Sequence, residues 1–159
     1  MIVLANLAKG TVGPESARLL GTLLVHQLWQ ASLGRASVAP EQRHPVMVVV
    51  DEVQDYLGLP TGIAEILSQS RGLGVGWALA HQHLGQLPVD VRAAVLANAR
   101  SRVVFQVGAD DAAVLARGQK DVGVEDFTQL PVREAYLRLV VGSEVSGYCS
   151  GRTLPPPEP

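Results

Sequence analysis

The sequence predicts a three-layer α/β domain built on a mainly parallel sheet. Three observations lead there. Short apolar runs at Val46–Val50 and at residues 75–80 suit strands covered on both faces, as in parallel sheets. Segments of helical spacing alternate with those runs, the order expected of βα units. The chain has 159 residues, 47% of them hydrophobic, enough for one compact core.

Residues 2–7 form a short apolar run closed by Lys9-Gly10, which predicts a buried strand. Gly13-Pro14-Glu15-Ser16 marks a helix start, with proline at the first helical position and glutamate in the first turn. Leu19, Leu20, Leu23, Leu24, Leu28 and Ala31 then keep helical spacing to about Leu33. A polar loop, 37–44, leads to the valine-rich strand, which ends at Asp51-Glu52. Residues 61–71 read as a helix stopped by Gly72 and Gly74. The strand at 75–80 ends at His81-Gln82-His83. A helix over 88–99, a strand over 102–107 and a short helix from Asp110 follow. Residues 135–141 and 144–148 read as a C-terminal β-hairpin around Gly142-Ser143. No internal repeat or boundary is visible, so 1–153 reads as one domain. Residues 154–159, with four prolines, read as an extended tail.

Charge excludes some functions. Fifteen acidic and thirteen basic residues give a formal net charge of -2. The chain is therefore no strongly basic nucleic-acid binder, and any DNA contact must come from a local patch or from assembly. Arg92, Arg100 and Arg102 are either a small basic cluster or scattered solvent-facing arginines. The single cysteine, Cys149, rules out a disulfide framework within the chain and suits a reducing compartment. No apolar run reaches membrane-span length, and the N-terminus lacks a basic signal-peptide region. These features predict a cytoplasmic protein.

The candidate chemistry lies at strand ends, where ligands gather in α/β sheets. Two adjacent carboxylates, Asp51 and Glu52, are costly there unless used. A hard cation such as Mg²⁺ takes one or two carboxylates plus phosphate oxygens and water, which suits Asp51. Glu52 could polarise an attacking water as general base. The same acids could instead be solvated or cap the next turn. Gln82 ends the following strand, and parallel neighbours would bring it close to Glu52. A neutral amide can hold a water or sense a γ-phosphate; a loop glutamine on the surface is the alternative. Arg71 ends a helix, where the macrodipole alone favours a cation; an arginine finger reaching a neighbouring subunit's site is the functional alternative. His81 and His83 match no compact metal motif with the two acids. Trp29 and Trp77 read as core, and Tyr56 as a packing residue or a base-stacking one.

Taken together, residues 46–56, Ser70-Arg71-Gly72-Leu73-Gly74-Val75 and the stretch 79–87 resemble the FtsK/HerA superfamily of P-loop ATPases. The resemblance is strongest to the conjugative coupling proteins of type IV secretion, the TraG/TraD-like group. Asn6-Leu7-Ala8-Lys9-Gly10, residues 97–105 and Gly108-Ala109-Asp110-Asp111-Ala112 also look like that group. The likeness covers about residues 2–153. It implies a RecA-like motor fold that binds ATP and Mg²⁺. It implies Asp51 and Glu52 as the Walker B pair, Gln82 as sensor and Arg71 as a finger acting in trans. It further implies a homo-oligomer, a hexameric ring around DNA that translocates it, with secretion-channel proteins as partners at the inner membrane. This chain would meet that membrane only through partners.

One expected part has no counterpart in these residues. The phosphate loop, G-x-x-x-x-G-K-[ST], is nowhere present. In the glycine-rich stretch 10–16, Pro14 removes an N–H, Glu15 would repel phosphate, and Lys9 lies on the wrong side. The chain thus reads as the C-terminal part of a motor without its first βα unit. Three expectations follow. The isolated chain hydrolyses no ATP and binds it weakly or not at all; ATP and Mg²⁺ need the other half; and the sensor strand either finds another neighbour or leaves an open edge that favours self-association. A different class remains open: a non-catalytic interaction protein that docks onto intact motor subunits. Neither a G-x-S-x-G elbow nor an LSGGQ segment is present.

Overall fold

The structure is a computed structural model that describes residues 1–58 and 62–155. The start of the predicted 61–71 helix and most of the proline-rich tail lie outside the described residues. The chain divides into two compact units, although no boundary shows in the sequence. The first comprises residues 1–82 and 86–98, the second 83–85 and 99–159.

The first unit contains helices α1 (Lys9–Val12), α2 (Pro14–Gly34), α3 (Ile63–Gln69) and α4 (Val89–Asn98), with strands β1 (Val46–Val50) and β2 (Val75–Leu79). Gly13, at φ +80°, makes the turn from α1, and Pro14 then opens α2 with Glu15 in its first turn. One stripe of α2 is buried: Ala17, Gly21, Val25, Trp29 and Ser32. Spacings of three and four place these on one helical face. Trp29, Ile63 and Ile66 form the core, with Leu33, Leu67, Trp77, Leu79 and Val91 packed against it.

β1 and β2 pair in parallel, from Val46 opposite Val75 to Val50 opposite Leu79. The ladder continues past both strands: Ala80 N donates to Val50 O at 2.9 Å and Val53 N to Ala80 O at 3.0 Å. A 3₁₀ turn, Ser70–Leu73, extends α3 and is stopped by Gly74 at φ +70°. Two carbonyls of that turn are capped from afar: Arg35 Nε donates to Leu73 O at 2.8 Å and Arg43 Nη1 to Gly72 O at 2.5 Å.

The second unit is antiparallel. It contains β3 (Arg102–Val104), α5 (Ala109–Ala116), α6 (Val124–Thr128), β4 (Glu134–Arg138), β5 (Val140–Val141), β6 (Glu144–Val145) and β7 (Cys149–Arg152). Its sheet order is β3-β4-β7. β5 and β6 form the predicted hairpin, turning at Gly142 with φ +63°. Val104, Ala112, Leu115, Val122 and Phe127 form its core. Phe127 meets Tyr136 and Tyr148 edge-on, with ring centroids 5.4 and 5.2 Å away. No helix among the described residues is long and apolar enough to cross a membrane.

The mixed α/β class, with parallel pairing and C-terminal antiparallel strands, agrees with the sequence reading. Several local expectations need correction. Residues 2–7 form no strand, and Ile2, Val3 and Leu4 are 87%, 76% and 90% exposed. An apolar run becomes a strand only beside a ladder partner, and among the described residues β1 pairs with β2 alone. β1 is not covered on both faces: Val50 is buried, whereas Met47 and Val49 are 67% and 72% exposed. The strand expected over 102–107 ends at Val104, because Val107 N instead donates to Phe127 O at 3.2 Å. Two short helices, α1 and α6, were not legible. In α6, Asp126 reaches back to accept from Gly123 N at 2.6 Å.

Candidate functional site

The parallel register decides where the candidate residues fall. Val50 pairs with Leu79, so Glu52 and Gln82 leave the sheet at one carboxyl-end rim, two and three residues further on. There Gln82 Nε2 donates to Glu52 Oε1 at 2.8 Å. The convergence expected of parallel neighbours is present, across thirty residues of chain.

Glu52 is held on several sides. Its backbone is left-handed, at φ 50° and ψ 48°, a conformation uncommon for a residue with a Cβ. Asp51 Oδ1 accepts from Glu52 N at 3.0 Å and supports that turn. Gln54 Nε2 donates to Glu52 Oε2 at 2.5 Å. Both carboxylate oxygens therefore accept from amides, and each keeps a second lone-pair direction. Gln82 is itself fixed, its N donating to Gln86 Oε1 at 3.0 Å. The Gln54 hydrogen bond, then that from Gln82, holds the Glu52 carboxyl below its ordinary range, with a smaller contribution from Lys9. Glu52 is thus kept ionised, as a base must be.

Sequence reasoning missed Lys9 and Asp55. Lys9 Nζ lies 2.5 Å from Asp55 Oδ2, with side chains 53% and 17% exposed. Asp55 raises the Lys9 ammonium above its ordinary range. The sequence places Lys9 at the close of an apolar run and on the wrong side for a phosphate cradle; in the structure it ties α1 to the 3₁₀ turn Val53–Tyr56 that follows Glu52. Tyr56, at the end of that turn, lies against Gly21 of α2. Gln54 and Gln86 were also missed, although their short spacings from Glu52 and Gln82 were visible in the sequence.

Asp51 is exposed, and its second oxygen makes no hydrogen bond among the described residues. That fits a carboxylate that meets a cation through water. No group of three or more His, Cys, Asp or Glu among the described residues could hold a metal ion alone. A Mg²⁺ bound mainly by phosphate oxygens and water needs no such group. Arg71 is exposed in the 3₁₀ turn before β2, at the opposite end of that strand from Gln82. Within the first unit it is therefore not brought to Glu52. His81 Nδ1 is buried and meets no hydrogen-bond partner among the described residues. Arg100 and Arg102 donate to Ser143 O and Ala99 O, both at 3.1 Å. A pocket of about 390 Å³ in the second unit is lined by Glu125, Asp126, Glu134 and Tyr136 among others. Its carboxylates would repel phosphate, and it includes none of the candidate residues.

No protein-family model and no curated protein matches the chain. Solved structures do. The chain is similar to the plasmid coupling protein TrwB in complex with the non-hydrolysable GTP analogue GDPNP, with TM-score 0.64, 16% identity, 82% of this chain covered and 36% of that one. The complex of TrwB with the ATP analogue ADPNP gives the same values. An unbound form of the bacterial conjugative coupling protein TrwBdeltaN70 gives TM-score 0.62 at 16% identity, with the same coverage. The chain thus has the RecA-like α/β fold of these coupling proteins and spans 36% of their length.

Proposed function

We propose that this chain is the water-activating part of an ATP-driven DNA-transfer motor of the conjugative coupling-protein type. The observation that carries the reading is the hydrogen bond from Gln82 to Glu52 at the carboxyl-end rim of β1 and β2. The TrwB complexes with GTP and ATP analogues support nucleotide as the ligand class.

Each residue then has a role. Asp51 holds Mg²⁺ through water, and that ion would neutralise charge on the nucleotide phosphates. Glu52 orients the attacking water and takes its proton. Gln82 fixes the Glu52 carboxylate and offers an amide toward the same water. Arg71, at the other end of β2, acts in the site of a neighbouring copy and stabilises transferring charge. The assembly is a hexameric ring that moves DNA and delivers it to secretion-channel proteins from the cytoplasmic side. The phosphate loop, absent from these 159 residues, comes from elsewhere in the assembly. A second reading is favoured by the bare face of β1, where Met47 and Val49 are mostly exposed. In it the chain docks onto intact motor subunits and hydrolyses nothing.

A complementation ATPase assay separates the two. The chain is mixed with a polypeptide carrying the phosphate-loop half of a coupling-protein motor. DNA-stimulated hydrolysis, reduced by about 10²–10⁴-fold on Glu52→Gln, is expected from loss of a general base. Binding to the complementing half without hydrolysis under any condition would favour the docking reading.

A further inference from the structure

The loop that carries Gln82 is anchored by a residue outside the proposed site. A 3₁₀ turn, Leu84–Gln86, follows Gln82 closely. The first N–H groups of a helical turn find no partner within it, and an unpaired buried N–H is costly. Leu84 is 5% exposed, and its N donates to Asp111 Oδ2 at 2.8 Å, from a residue 27 positions along the chain. A carboxylate acceptor makes that hydrogen bond charge-assisted, about twice as strong as a neutral one. Asp111 lies in the first turn of α5, within the stretch 108–112 that resembles the coupling proteins, and the proposed site gives it no role. Asp110 shares that first turn and is exposed, so both acids suit the macrodipole of α5 but only Asp111 meets the turn at Leu84.

We infer that Asp111 is a positioning residue for the Gln82–Glu52 pair: by capping the turn Leu84–Gln86 it holds the Gln86 side chain that fixes Gln82. The restraint runs through three hydrogen bonds. Asp111 accepts from Leu84 N, Gln86 of the same turn accepts from Gln82 N at 3.0 Å, and Gln82 Nε2 donates to Glu52 Oε1 at 2.8 Å. Gln82 is exposed, so packing does little to aim its side chain and these bonds do most of it. Leu84 and Asp111 belong to the second unit, and Gln82, Gln86 and Glu52 to the first, so the backbone of residues 82–86 carries the restraint.

This inference deepens the motor reading and rests on it only for the effect on hydrolysis. In that reading Glu52 takes a proton from an oriented water, and Gln82 sets one of its two oxygens. Loosening Gln82 should therefore lower kcat and leave nucleotide binding, and so KM, nearly unchanged. Asp111 itself meets neither nucleotide nor water in this scheme and acts only through the turn.

NMR of the full chain, without nucleotide, tests the positioning. Asp111→Ala should speed hydrogen exchange of the Leu84 amide at least about tenfold, the scale of losing a hydrogen bond to a charged acceptor. It should also shift the Gln82 side-chain amide signals toward their positions in Glu52→Ala. Asp111→Asn, which keeps an acceptor oxygen, should restore most of both effects, and Asp110→Ala should produce neither. Asp111→Ser, too short to reach Leu84, takes the place of alanine if circular dichroism shows that variant unfolded. Unmoved Gln82 signals in a folded Asp111 variant would overturn the proposal. So would an equal effect from Asp110→Ala, or a wild-type Leu84 amide that exchanges as fast as an unstructured one. In the complementation ATPase assay Asp111→Ala should lower kcat by up to about 10²-fold with KM within about twofold, and Asp111→Asn should recover it. Full kcat in Asp111→Ala would equally overturn the proposal. The expected NMR changes in a chain that never hydrolyses ATP would instead sink the motor reading and leave the positioning role standing.

Discussion

Replacing Gly21 by alanine should destabilise the protein, although glycine inside a helix is normally the poorer residue. A Cβ at this position would lie 2.2 Å from two ring carbons of Tyr56 and 2.9 Å from Leu7 Cδ1. Side chains do not approach so closely, so the Tyr56 ring must move. Two effects oppose. Helix propensity favours alanine by about 1 kcal/mol. Overpacking of a filled site costs about 1–3 kcal/mol. The net expectation is a loss of up to about 2 kcal/mol, or roughly 4–8 °C in melting temperature for a chain of this size. Because Tyr56 closes the turn that starts after Glu52, its displacement should also disturb the Lys9–Asp55 pair. Urea unfolding of the wild type, Gly21→Ala, Tyr56→Leu and the double variant forms a double-mutant cycle. If steric conflict with the ring is the cause, Gly21→Ala should be neutral or stabilising once Tyr56 is leucine. A Gly21→Ala variant about 1 kcal/mol more stable than wild type, the value of helix propensity alone, would refute the packing argument.

Further outcomes are expected elsewhere. Phe127 is fully buried at the centre of three aromatic rings, and Phe127→Ala should cost about 3–5 kcal/mol, read as a lower urea midpoint. The Glu52 carboxyl is lowered by Gln54 and Gln82, so its contribution is present above the ordinary carboxylate range and lost as pH falls through the lowered value. Gln54→Leu should raise that titration and Gln82→Leu should raise it less, as followed by carboxyl-carbon NMR. Lys9 is raised by Asp55, so its contribution is present below the ordinary lysine range and lost as pH rises through the raised value. Lys9→Met should therefore flatten the alkaline limb of the stability–pH curve and, because Lys9 adds a smaller part to the lowering of Glu52, slightly reduce the acid limb as well.

Much of the site was legible because it depends on a period and a register. A valine-rich run that stops at two acids, and a second apolar run that stops at a glutamine, need only parallel pairing to converge. Hydrogen bonds between Val50 and Ala80 and between Ala80 and Val53 supply that pairing. Lys9 was not legible, since its partner lies 46 positions away and no periodicity links α1 to the turn after β1. Residues 2–7 show the opposite failure. Their composition suits a strand, but composition cannot state whether a neighbouring strand is there to receive their backbone groups.

The main alternation of helices and strands from Pro14 onward, the helix start at Pro14, the hairpin at Gly142 and the identity of the rim residues were thus set by local chemistry. Proline and glycine restrict φ wherever they stand, and side-chain period follows from backbone geometry alone. The tertiary structure decided which apolar faces are covered and which carboxylate meets which amide. Burial and hydrogen bonding are properties of pairs of segments brought together in space. A single segment records its own readiness for such contacts and nothing of whether its partner arrives.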